Sequence, residues 1–97
     1  MGIRSDRRVA VMAMAAVWIA PMTGAPNLTS AEVCEALWRH IGLRDRVEHL
    51  RIRAGPSRYL VFGFVMADSD EQAQVTVERL TDRAIAVESA LAHWRRV

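Results

Sequence analysis

The stretch Val9-Ala-Val-Met-Ala-Met-Ala-Ala-Val-Trp-Ile-Ala20 is uninterruptedly apolar and follows Arg7-Arg8. Nothing else in the chain limits its fold so strongly. A basic start, an apolar core and the small residues of Pro21-Met-Thr-Gly-Ala25 have the outline of a secretory signal, and the arginine pair that of a twin-arginine leader. A membrane-spanning helix needs about 20 apolar residues, and Pro21, Thr23, Gly24, Pro26 and Asn27 end the run short of that. Alternation does not separate strand from helix. Val9, Val11, Ala13, Ala15, Val17 and Ile19 fall on one side and Ala10, Met12, Met14, Ala16, Trp18 and Ala20 on the other, and both sides are apolar. The context decides for a core strand over 9–20 behind a basic arm over 1–8. Cleavage near Ala25 is the competing expectation, with export instead of a cytoplasmic location.

Downstream, Thr29 or Ser30 can cap a helix over 29–42. Glu32 sits in its first turn, Val33, Cys34, Leu37, Trp38 and Ile41 line one face, and Gly42 stands as C-cap. Residues 46–67 read as a hairpin around the turn Ala54-Gly-Pro-Ser57. In its first strand Glu48, Leu50 and Ile52 share one side and Val47, His49, Arg51 and Arg53 the other. In its second, the bulky set Leu60, Phe62, Phe64 and Met66 is expected beneath the helices, with Tyr59, Val61, Gly63 and Val65 facing away. Ser69-Asp-Glu-Gln72 is a capping box, and Ala73, Val77, Leu80, Ala84, Val87, Leu91 and Trp94 recur at helical spacing over 69–94. A break near Glu88-Ser89 would turn Leu91 to Val97 into a short last strand.

This order, βαββα with a possible final β, resembles the ferredoxin-like superfold. The expectation is one α+β domain over 1–97, an antiparallel sheet with two helices on one face. Without a covered last strand, the first strand lies at the sheet edge, where a long apolar edge invites pairing. At 97 residues and 52% hydrophobic, the chain carries more apolar surface than a small domain readily hides, which points to a homodimer or another partner. Val9, Val11, Met12, Met14 and Trp18 are the expected interface.

Lys and Arg together number 13 and every one is Arg; Asp and Glu number 11. The net charge of +2 is too small to demand nucleic acid or an anionic membrane. Cys34 is the single cysteine, so no intrachain disulfide forms. His40, His49 and His93 have no metal-ligand spacing, and the acids of Asp68-Ser-Asp-Glu71 belong to a helix start. No metal, cofactor or catalytic residue is expected.

Trp18, His49, Arg51, Arg53, Arg58 and Tyr59 are the candidate binding residues. The arginines around the hairpin, Arg44 and Arg46 among them, form a basic strand face, expected to be solvated and salt-bridged to Glu48, Asp45 or a partner. Phe62-Gly-Phe-Val65 after Ser57-Arg58 resembles the centre of the aromatic submotif of RNA-recognition domains, and Ala73 to Val77 their second helix. That resemblance implies base stacking on Phe62 and Phe64, but the expected burial of these rings argues against nucleic acid.

The leading expectation is a non-enzymatic module that self-associates and binds a protein partner or a small apolar ligand. A small dimeric α+β barrel enzyme, of the cofactor-independent monooxygenase or cyclase kind, is the second. Its faint echo is Asp68 to Ala73. An RNA-binding domain using the arginine-rich hairpin is the third.

Overall fold

The computed structural model describes residues 10–97. Val9 and the basic arm over 1–8 lie outside the described residues. The apolar run is a strand, β1 (Val11–Pro21). It is followed by α1 (Ser30–Trp38), β2 (Val47–Ala54), β3 (Tyr59–Ala67), α2 (Asp70–Val87) and a short β4 (Trp94–Arg96). The four strands form one antiparallel sheet in the order β2-β3-β1-β4, and both helices pack on the same side of it.

β1 runs beside β3 along its whole length, from Val11 opposite Ala67 to Ile19 opposite Tyr59. Ala13, Ala15, Val17 and Ile19 of β1 are buried under the helices with Val61, Gly63, Val65 and Ala67 of β3. This reverses the facing expected for β3. Leu60, Phe62, Phe64 and Met66 point to the uncovered side, and the small set lies inside. The reason is the close approach of α2. A Cβ at Gly63 would stand 2.7 Å from Val77 Cγ2, so the layer between sheet and helix has no room for phenylalanine rings there. Ala13, Ala15 and Ala67 on the sheet, and Ala73 and Ala84 on α2, continue this small-residue packing. Close-packed layers reject added volume as firmly as they reject voids.

Helix ends follow elementary capping. Thr29 Oγ1 accepts the Glu32 N–H at 3.1 Å while the Glu32 carboxylate accepts the Thr29 N–H at 2.8 Å, a complete capping box. Helix α1 stops at Trp38, earlier than Gly42. His40 and Ile41 donate to the carbonyls three residues back, at 3.0 and 3.2 Å, and these tighter turns close the helix with no left-handed glycine. Gly42 instead opens a single 3-10 turn, Leu43–Asp45. At α2, Ser69 Oγ accepts the Gln72 N–H, but the Gln72 amide reaches the Asp68 N–H and so closes only half a box.

Helix α2 ends at Val87, and another 3-10 turn, Ser89–Leu91, leads into β4. Leu91 and Trp94 are buried as the spacing expected, but they reach the core from the turn and the strand. Between Val47 and His49 the β2–β3 register shifts by a bulge. The extra residue turns Val47 toward the core, away from His49, and leaves Glu48 exposed beside it. Among the described residues no helix is long and apolar enough to cross a membrane.

Candidate functional site

Among the described residues nothing covers the sheet side opposite the helices, and three rows of cross-strand neighbours build it. His49, Phe64 and Met14 stand side by side across β2, β3 and β1; so do Arg51, Phe62 and Ala16; so do Arg53, Leu60 and Trp18. Met12 and Met66 extend the apolar stripe at one end. At the other, Arg95 of β4 lies next to Ala20. Phe62 and Phe64 are half-buried, while Met12 and Met14 are exposed. A shallow concavity of about 410 Å³ lies between Met14, Phe62, Phe64, Arg51 and Arg53. The expected burial of the two phenylalanines is therefore corrected: their rings form part of an accessible surface.

Four of the six candidate binding residues, His49, Arg51, Arg53 and Trp18, share this face, and Arg58 joins them from the hairpin turn. The Arg58 guanidinium sits 4.0 Å over the Trp18 ring, a cation–π contact that holds both flat. The His49 and Phe64 ring centres are 5.7 Å apart. Tyr59 is the exception. It lies on the helix side, packs edge-on against Trp94 at 5.4 Å, and its hydroxyl donates to the Leu28 carbonyl. It anchors the loop before α1 and takes no part in the open face.

Charge is divided between the two layers. On the helix side several acids are paired with cations. Asp45 is buried and accepts from Arg83 at 2.6 Å and from the Gly42 N–H at 2.8 Å. Arg96 pairs with Asp82 at 2.9 Å. Glu88 Oε1 lies 2.9 Å from His40 Nε2 and 2.9 Å from an Arg39 nitrogen. The hydrogen bond to His40, then the Ala90 N–H and Arg39, hold the Glu88 carboxyl down at about 2. This clasp ties the end of α1 to the turn before β4. Its members are far apart in sequence, and no spacing announced it.

On the open face the balance differs. Arg51, Arg53, Arg58 and Arg95 have no carboxylate partner among the described residues. The expected bridge to Asp45 does not form, because Asp45 is committed to Arg83. Glu48, at the bulge, is the one acid on the described strands.

Cys34 is half-buried, with a long contact of 3.9 Å from Sγ to the Leu50 carbonyl. Burial pushes its thiol pKa up, and a hydrogen bond from Trp38 opposes that only in part. The cause is desolvation, and a raised thiol pKa disfavours the reactive thiolate. His40 serves the Glu88 clasp, His49 the open face, and His93 a turn in which its carbonyl accepts the Met22 N–H at 2.7 Å. Among the described residues no group of His, Cys, Asp and Glu is placed to hold a metal ion. Compared with protein-family models, curated proteins and solved structures, the chain matches none.

Proposed function

We propose that the chain is a non-enzymatic binding module of ferredoxin-like architecture that self-associates and offers its open sheet face to a partner. The order β2-β3-β1-β4 with both helices on one side supports the architectural part. One observation carries the functional part. Met12, Met14, Trp18, Leu60, Phe62 and Phe64 lie together on a sheet face that no layer of the described residues covers. Sheets with one apolar face pack it against something, and contiguous apolar patches on small proteins mark interaction sites. Sedimentation equilibrium of the full chain across a wide concentration range is the test. Reversible dimers are expected, and a monomer at every concentration would refute self-association.

A second reading, single-stranded nucleic acid, is favoured by the outward facing of Phe62 and Phe64 beside Arg51 and Arg53, cations without carboxylate partners among the described residues. Aromatic side chains on a sheet can stack bases while arginines hold phosphates. Fluorescence anisotropy with a labelled oligouridylate distinguishes it. Binding should weaken steeply with salt. Phe62→Ala or Phe64→Ala should each lose about 1–3 kcal/mol. Absence of binding at low salt would dispose of this reading and leave self-association standing.

A further inference from the structure

We infer that two copies of the chain join along the outer edge of β1, antiparallel, with Met14 opposite Met14 of the second copy, so that two four-stranded sheets become one. This rests on the self-association proposed above and specifies its interface.

The backbone bonding pattern identifies the free edge. Trp18 turns its carbonyl away from β3 and accepts the Val97 N–H at 2.9 Å. Bonding direction alternates along a strand, so the backbone groups of Met12, Met14 and Ala16 also point outward. β4 pairs only with Ile19, Ala20 and Pro21. From Trp18 back to Val11 no other described residue bonds this edge, except at the Ala16 carbonyl, which accepts from the Gln74 amide at 2.9 Å. A carbonyl oxygen has a second lone pair, so that contact leaves it able to accept from a strand.

Sheet edges are ordinarily guarded by charge, proline or a bulge. The segment Val11-Met-Ala-Met-Ala-Ala-Val17 has none of these, and its pairing to β3 is regular.

A second copy fits this edge by symmetry and by charge. A symmetric antiparallel pair must place one residue opposite itself. With Met14 on the axis, Val11 faces Val17, Met12 faces Ala16 and Ala13 faces Ala15 of the second copy. That register uses the whole free length and stops where β4 begins. The alternative, stacking two open faces, would bring Arg51, Arg53, Arg58 and Arg95 against their own equivalents with Glu48 as the lone acid at the rim. The edge contact brings together only uncharged residues and leaves the arginine-lined face clear.

The register is testable by crosslinking in a Cys34→Ser background. Hydrogen-bonded antiparallel partners have Cα atoms about 5.5 Å apart, within the range of about 4.4–6.8 Å that a disulfide spans. Met14→Cys should therefore form an intermolecular disulfide under mild oxidation. Met12→Cys is the control, because both methionines are 54% exposed and lie on the same face. Its two copies would be four residues out of register, about 14 Å apart. Met14→Cys should crosslink roughly tenfold faster or more, as expected from the geometric limits of the bond. A chain that sediments as a dimer while Met12→Cys crosslinks equally well, or Met14→Cys not at all, overturns the register and leaves self-association intact. A strictly monomeric chain overturns both.

Discussion

Gly63 shows how one residue sets the layout of the molecule. Its missing side chain lets Val77 approach the sheet, and that approach pushes the neighbouring phenylalanines to the other side. Val77 is stiff at χ1 and cannot swing aside. Gly63→Ala should therefore cost about 1–3 kcal/mol in urea unfolding, as overpacking does. Adding Val77→Ala to it should recover part of that loss, because neighbouring sites couple.

Glu88 gives a prediction of a different kind. Its carboxyl is held near 2 in the folded chain against an ordinary value of 4.5. A depressed pKa means that the folded state favours the ionised form. The clasp with His40 and Arg39 contributes its full stabilisation above the ordinary value and loses it as pH falls through about 2. Glu88→Gln should flatten the acid limb of the stability–pH curve between those values. An unchanged slope would show that the clasp contributes nothing there.

Among the elements, the helices were the more legible. Thr29 and Glu32 announce the start of α1, and the spacing of Ala73, Val77, Leu80 and Ala84 gives the buried stripe of α2. Thr29→Ala should cost about 1 kcal/mol by thermal or chemical denaturation, the usual cost of losing an N-cap. The sidedness of the strands was harder to read. Both faces of β1 and β3 are apolar, so alternation carries no direction. The usable signal was volume: Ala13, Ala15, Gly63 and Ala67 are small on one side, while Met12, Met14, Phe62 and Phe64 are large on the other. Small residues mark where a helix comes close, and bulk here marks the open side. The bulge before His49 and the Glu88 clasp had no local signal, since both arise from contacts between distant segments. The placement of Tyr59 with the helices follows from the same reversal of facing.

The molecule as a whole separates its two surfaces. On the helix side Asp45 and Asp82 are paired with arginines, while the open sheet face keeps Arg51, Arg53 and Arg58 beside exposed apolar and aromatic groups. Arg51→Glu together with Arg53→Glu should leave the sedimentation behaviour of the chain unchanged, because the β1 edge carries no charge, while abolishing any salt-dependent oligonucleotide binding. A shift to monomer in that variant would move the self-association contact from the edge to the face.

The most direct test of self-association through the β1 edge is amide hydrogen exchange of the full chain, read residue by residue along β1. The Ala13, Ala15 and Val17 amides point to β3 and should be protected at any concentration. The Met12 and Met14 amides point outward and have no partner within one copy among the described residues. Protection of Met12 and Met14 that rises with concentration and fades on dilution is the expected result. Free exchange of these two amides at the highest concentration, beside protected Ala13 and Ala15, would contradict it.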